Sequence, residues 1–169
     1  MNNFVGLSAV LTGFAQGVIA PSIDPINVKA EYFAKFQAET GNNLFSQILS
    51  DFQTLNTPPK EGQTQEEKNQ EIGETILANS DYEMPCRNLI FLWYSGAWPT
   101  IIPANGAKPA STISTLLSSK SYTQGLVWQV MQSHPMGDSN YRYGYWQNTP
   151  ADLNKYTGNN DKTTSKWQQ

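Results

Sequence analysis

Asn88-Leu89-Ile90-Phe91-Leu92-Trp93-Tyr94-Ser95-Gly96-Ala97-Trp98 is the stretch whose reading decides the fold. It carries no charge and is apolar on every side. A helix that is apolar all round is buried all round, and this run is far short of the ~20 apolar residues of a membrane span. It predicts a central core helix. The sharper alternative is a core helix that keeps one aromatic edge, at Trp93, Tyr94 or Trp98, for a partner chain. Pro85 suits the first turn of this helix, and Pro99 is expected to end it.

The surroundings keep that alternative open. No Asp or Glu occurs between Glu83 and Asp138, and from Asn88 to Gly137 the only charges are Lys108 and Lys120. Charged residues are 15% of the chain, against about 25% in ordinary globular proteins. Asn, Gln, Ser, Thr and aromatic residues fill the gap, and such a surface suits an interface as well as solvent.

Upstream, Phe4, Leu7, Val10, Leu11 and Phe14 fall at helical spacing. They predict a first helix ended by Gly13 or Gly17. The basic n-region of a secretory signal is missing, since the first lysine is Lys29. Met1 is therefore expected to be an introduced start, with any export signal removed. Asp24-Pro25 is a helix opening, and Gly41 is the matching stop. Ile26, Ala30, Phe33 and Phe36 form its expected inner stripe, and Glu31 precedes Lys35 by four, the favourable order for an ion pair.

The clearest helix runs from Asn42 to Thr57, with Leu44, Phe45, Ile48, Leu49, Phe52 and Leu55 on one broad face. After the connector Thr57-Pro58-Pro59-Lys60-Glu61-Gly62, a helix over 63–79 places Ile72, Ile76 and Leu77 inward. Its Glu66, Glu67, Glu71 and Glu74 read as a solvated face rather than a metal site. Beyond Pro99, Thr100–Ser111 reads as an ordered or partner-held loop. Thr112–Gln132 reads as helical in pieces, with Leu116, Leu117, Leu126, Val127, Val130 and Met131 inward.

From Ser133 the helical period stops, yet Tyr141, Tyr143, Tyr145 and Trp146 crowd into six residues. Disordered segments are poor in aromatics, so this tail is expected to be held on its own body or on another protein. The expected fold is all-α. It is a small irregular helical bundle over residues 1–132 with a long, extended, aromatic-rich C-terminal tail over 133–169.

Composition narrows the function. The net charge is −3 with only two arginines, Arg87 and Arg142. Phosphate neutralisation dominates nucleic-acid affinity, so no nucleic-acid partner is expected. One cysteine, Cys86, and one histidine, His134, rule out an internal disulfide and fall short of a zinc ligand set. His134 sits beside Pro135 in a loop-like segment, a poor place for a catalytic base. Neither GxGxxG nor GxxxxGK[ST] occurs.

Four pieces in register carry a resemblance: Phe4-Val5-Gly6-Leu7-Ser8-Ala9-Val10-Leu11-Thr12-Gly13, then Leu89 through Trp98, then Tyr122 through Trp128. The last is Pro135-Met136-Gly137 with Tyr143-Gly144-Tyr145-Trp146 and Pro150. With them the chain resembles the small subunit of the bacterial membrane-bound, FAD-dependent sugar and polyol dehydrogenases (the sorbitol, fructose and glucose dehydrogenase complexes). The resemblance implies a non-catalytic subunit without a cofactor of its own. It would stabilise a large FAD-bearing subunit of the glucose–methanol–choline oxidoreductase type. In such complexes a third, multihaem cytochrome c subunit often passes electrons to quinone. The resemblance also implies a twin-arginine signal that takes the folded flavoprotein to the periplasm. That signal is absent from this sequence, a departure that fits a mature or trimmed chain.

On this reading no residue of the chain is catalytic, and contact with the membrane comes only through the complex. Trp98, Tyr122, Met136, Tyr141, Tyr143, Tyr145 and Trp146 are the expected partner-facing residues. Trp93 and Trp128 are expected in the core. Cys86 is expected to be a buried free thiol, with an intersubunit disulfide as the alternative. The competing readings are a stand-alone periplasmic carbohydrate- or protein-binding module that uses the tail aromatics, and an enzyme in its own right.

Overall fold

A computed structural model of the chain describes residues 1–135, 147, 149 and 153–157. The fold is all-α with one small two-stranded sheet. Helix α1, Asn2–Thr12, buries Phe4 and Leu7 completely and closes on Gly13, left-handed at φ 75°, whose N–H donates to Ala9 O at 2.9 Å. Gly6 lets α1 approach its neighbour closely: a Cβ there would lie 2.9 Å from the Phe52 ring. A single turn, α2 (Gln16–Ile19), follows.

Helix α3, Val28–Thr40, stops at Gly41 as the sequence predicts, but starts later than Asp24-Pro25. Asp24 lies ahead of the helix. Its carboxylate binds Lys29, accepts from the Asn27 N–H at 2.6 Å, and is held below its usual pKa chiefly by the Lys29 contact. Tyr32 and Phe36 are the buried stripe, whereas Ile26, expected inward, is exposed because it precedes the helix. Lys35 pairs with Glu39 rather than Glu31, because Glu31 accepts from Ser118 Oγ at 2.9 Å.

Helix α4, Asn42–Leu55, buries Phe45, Ile48 and Phe52, with Leu44, Leu49 and Leu55 at the margin. Helix α5, Gln65–Ala78, begins with a capping box in which Thr64 Oγ1 accepts from the Glu67 N–H at 3.2 Å and Glu67 Oε2 accepts from the Thr64 N–H at 2.8 Å. Ile72 and Ile76 are buried on its inner face. Lys68 is also buried, with Glu71 at 3.7 Å, a placement that composition alone hides.

Helix α6, Ser80–Ser95, is the axis, and α1, α3 and α5 pack around it. Cys86, Leu89, Leu92 and Trp93 are buried, and Trp93 meets Tyr32 edge-on at 4.7 Å between ring centroids. Such an aromatic pair adds about 0.5–1.5 kcal/mol beyond its buried area. Three expectations need correction. The helix is not buried all round, since Phe91 is 39% exposed. It starts at Ser80, where Asn79 Oδ1 accepts from the Asp81 N–H, so Pro85 lies inside it rather than in its first turn. It ends at Gly96, left-handed at φ 70°, not at Pro99.

The expected loop after Pro99 is instead a hairpin. Strand β1, Ala97–Ile102, pairs antiparallel with β2, Ser111–Leu116, from Ala97 opposite Leu116 to Ile102 opposite Ser111. Asn105 and Lys108 exchange both backbone hydrogen bonds at 3.1 Å around Gly106-Ala107, with Gly106 at φ 59°. Glycine first in a two-residue loop matches the twist of the flanking strands. The pieces expected to be helical from Thr112 shrink to α7 (Ser119–Thr123) and α8 (Val127–Val130). Leu126 is buried and Leu117 and Val127 are half-buried, but Leu116, Val130 and Met131 are exposed. Leu116 belongs to a strand that juts from the body, and α8 is too short to cover its own outer residues. A last turn, α9 (Asn154–Thr157), lies against the N-terminal helices, where Tyr156 O accepts from the Ala15 N–H at 2.8 Å.

Candidate partner-binding surface

The hairpin departs from a junction made by the end of α6, the start of β1 and α7. Ser118 caps α7: its Oγ accepts from the Ser121 N–H at 3.0 Å, and Ser121 Oγ accepts from the Ser118 N–H at 2.9 Å. Ser121 Oγ, fully buried, also donates to Gly96 O at 2.8 Å. Gly96 O accepts a second bond from the Leu117 N–H at 3.1 Å. From beneath, the wholly buried Tyr32 donates its hydroxyl to Ser121 O at 3.2 Å, and burial raises its pKa. Gly96 is required here twice over. Its φ of 70° disfavours a side chain, and a Cβ would fall 2.2 Å from Ser121 O.

Beyond this seat the hairpin is charge-free except for Lys108 at its turn. All six residues of β2 are exposed, and so are the last three of β1. Ile101 (58%), Ile102 and Ile113 (49%) stand in solvent. Strands that alternate faces place Ile102 and Ile113 on one face and Ile101 on the other. Between β1 and the body runs a groove of about 330 Å³, lined by Glu39, Thr40, Met84, Pro85, Asn88 and residues 98–101. Met84 is half exposed on its rim. Among the described residues Thr40 Oγ1 is buried there without a hydrogen-bond partner. A surface of exposed isoleucines without charge is what a protein partner's core contact patch uses.

The expected partner-facing residues divide. Trp98 is buried at the root of β1, with the Lys35 ammonium 5.7 Å from its ring centre, so it supports the hairpin rather than facing outward. Tyr122 is half-buried against Trp128, ring centres 5.3 Å apart, and its carbonyl accepts from Trp128 Nε1–H at 2.7 Å. Trp93 is core as expected, whereas Trp128 is only half-buried. Met136, Tyr141, Tyr143, Tyr145 and Trp146 lie outside the described residues. Cys86 is fully buried, and burial pushes its thiol up to about 12. A partner's cysteine reaches it only if α6 opens.

The residues the sequence reading left aside are Ile101, Ile102, Ile113 and Met84. Their signal was the β-branched run Thr100-Ile101-Ile102 facing Thr112-Ile113 across Asn105-Gly106, a hairpin signature.

A second concavity, about 780 Å³, lies between α1, α4, α5 and α9. It is lined by Gln16, Asn56, Gln65, Asn69, Gln70 and Asn154, by the acidic Glu66, and by the apolar Val10 and Phe14. Among the described residues no three His, Cys, Asp or Glu side chains converge to hold a metal ion. No described helix is long and apolar enough to cross a membrane. No family model, curated protein or solved structure matches the chain.

Proposed function

We propose that this chain is the small accessory subunit of a periplasmic FAD-dependent sugar or polyol dehydrogenase complex of the sorbitol, fructose or glucose type. It stabilises the large flavoprotein subunit and assists its maturation and export. The flavin belongs to that partner, and haem c to a third subunit where one is present. The observation that carries the reading is the projecting hairpin, uncharged except for Lys108 at its turn, with isoleucines in solvent on both faces. A chain that keeps its 25 charged residues (11 basic, 14 acidic) almost wholly off one protruding element is built to cover that element. The four sequence pieces that resemble the dehydrogenase small subunit supply the partner's identity.

The test is co-expression with the large subunit, followed by capture through this chain. Flavin absorbance and dye-linked sugar or polyol oxidation are recorded. A yellow, active complex that weakens with Ile101→Asp plus Ile113→Asp is the expected result. A stable, colourless chain that captures nothing overturns the assignment. A second reading, a carbohydrate-binding module, draws on the carboxamide-lined concavity, because amide donors and acceptors with one carboxylate, Glu66, beside apolar residues suit a polyhydroxylated ligand. Calorimetric titration of the free chain with sorbitol, fructose and glucose tests it.

A further inference from the structure

We propose that Asn105 is a site of spontaneous covalent modification: its side-chain amide is lost as ammonia to attack by the Gly106 backbone nitrogen, which leaves an acid at the tip of the hairpin. The inference stands apart from the accessory-subunit reading, because it concerns only the chemistry of this chain.

The sequence supplies the reacting pair. Asn105-Gly106 is the only asparagine followed by glycine in the chain. In the reaction the Gly106 nitrogen bonds to Asn105 Cγ and closes a five-membered succinimide. The Cγ–Nδ2 bond breaks, and ammonia leaves with the proton that the Gly106 amide gives up. Water, the one co-reactant, then opens the ring at either of its carbonyls. Opening at the former side-chain carbonyl restores an ordinary backbone with aspartate at this position. Opening at the main-chain carbonyl leaves isoaspartate, whose backbone is one methylene longer. A side chain on the following residue hinders the attack, and glycine has none.

The structure leaves the pair open. Both residues are exposed. Gly106 begins the two-residue loop at φ 59°, and a Cβ there would meet nothing within 4 Å. The bonds that close the turn run between Asn105 and Lys108, N–H to O in each direction at 3.1 Å, so the ladder makes no use of the Gly106 N–H. Among the described residues neither that N–H nor the Asn105 carboxamide has a hydrogen-bond partner. Other asparagines are held. Asn42 accepts from Gln37 at 3.0 Å, Asn69 accepts from Gln65 at 2.9 Å, and Asn79 accepts from the Asp81 N–H at 2.9 Å. Asn88 lies inside α6 with Leu89 after it.

The turn sets the rate and the consequence. Ring closure turns the Asn105–Gly106 peptide until its nitrogen reaches Cγ, and that movement gives up the bond from the Lys108 N–H to Asn105 O. One exposed backbone hydrogen bond slows the step by about ten-fold at most. The product changes the hairpin in one of two ways. Asn105 lies directly opposite Lys108, and opposed residues share a face. Aspartate there sets a carboxylate beside the hairpin's one ammonium. Isoaspartate lengthens the loop, so the two-residue turn no longer matches its strands.

The test ages the purified full chain in mildly alkaline buffer, native and in guanidinium chloride, and follows segment 88–120 by peptide mass mapping. Asn88 is the internal control. Acid is expected at position 105 as a mixture of aspartate and isoaspartate, the latter detected by enzymatic methylation of its carboxyl group. The native rate should be no less than a tenth of the unfolded rate and at least ten-fold above that at Asn88. It should rise with pH, because the attacking nitrogen must lose its proton. Asn105→Gln, which has to close a six-membered ring, should gain no acid over the same time. A native rate below a tenth of the unfolded one means that the turn guards the site and overturns the proposal. Equal conversion at Asn88 also overturns it. Aspartate without isoaspartate means direct hydrolysis of the amide and overturns the attack by Gly106. The comparison of native and unfolded wild-type chain needs no variant to fold.

Discussion

Gly96→Ala and Gly13→Ala form a controlled pair. Both glycines end helices in the left-handed region, at φ 70° and 75°. In both, a Cβ brings the same backbone penalty, about 1–2 kcal/mol. They differ in surroundings. A Cβ on Gly13 meets nothing within 4 Å, whereas one on Gly96 lies 2.2 Å from Ser121 O, 2.4 Å from Ser121 C and 2.9 Å from Tyr122 N. These are backbone atoms and cannot swing aside as a side chain can. Relief requires α7 to retreat by more than an ångström, which strains the bonds from Ser121 Oγ and the Leu117 N–H to Gly96 O and from the Tyr32 hydroxyl to Ser121 O. Each contributes about 0.5–1.5 kcal/mol net. Gly96→Ala is therefore expected to cost about 3–5 kcal/mol, and Gly13→Ala about 1–2 kcal/mol. In a domain with a total stability of about 5–15 kcal/mol, the first variant approaches unfolding and the second does not. Urea titrations followed by far-ultraviolet circular dichroism measure both. Equal losses would refute the close approach of α7 to the root of the hairpin.

Three further outcomes follow from the core and its caps. Phe52→Ala opens a cavity beneath Gly6 and is expected to cost about 3–5 kcal/mol, while Gln47→Ala on the exposed face of α4 stays within about 0.5 kcal/mol; urea midpoints compare them. Thr64→Ala removes the capping oxygen of α5 and should lower stability by about 0.5–2 kcal/mol, with helix loss localised to α5 by amide exchange. The third concerns alkaline pH. Burial raises the Cys86 thiol from 9.0 to about 12, and the hydrogen bond to Asp51 foremost raises Tyr82 from 10.0 to about 12. Raised acids favour the folded state fully below their unfolded pKa and lose that contribution as pH climbs toward the folded value. Stability should therefore fall from about pH 9 to pH 12. Cys86→Ala should flatten the part that begins near pH 9, and an unchanged slope in that variant would remove the thiol as the cause.

The helical half of the molecule was legible because its signals are local. The steps from Leu44 to Leu55 give α4 nearly to the residue, and Gly13 and Gly41 stop α1 and α3 where left-handed glycine is expected. The hairpin was harder to read because its strands are exposed on both faces, so no apolar–polar alternation marks them. Pro99 suggested a helix stop that Gly96 provides three residues earlier, and once Pro99 is placed in β1 its neighbours read as a strand. Trp98 drew attention as an aromatic in a charge-poor stretch. It is instead part of the buried core cluster, with Lys35 of α3 over its ring, a long-range placement that no local pattern encodes. The aromatic tail residues Tyr143, Tyr145 and Trp146 fall outside the described residues, so the surface defined by the structure is the hairpin, not the tail.

Core and surface are joined by one chain of contacts. Trp93 packs edge-on against Tyr32, Tyr32 donates to Ser121 O, and Ser121 Oγ donates to Gly96 O, from which the hairpin springs. Removing the middle link with Tyr32→Phe keeps the ring and its packing and deletes one buried hydrogen bond. A stability loss of about 1 kcal/mol is expected, too small to unfold the bundle. Its structural effect should be confined to the seat of the hairpin. The Leu117 amide, bonded to Gly96 O, should exchange faster, while the amides of α4, which share no bond with this junction, keep their rates apart from the small global change. Uniform acceleration across α4 and Leu117 alike would mean that the hydroxyl supports the whole core and does not orient the hairpin. Selective acceleration at Leu117 would place control of the hairpin in a residue buried beneath it.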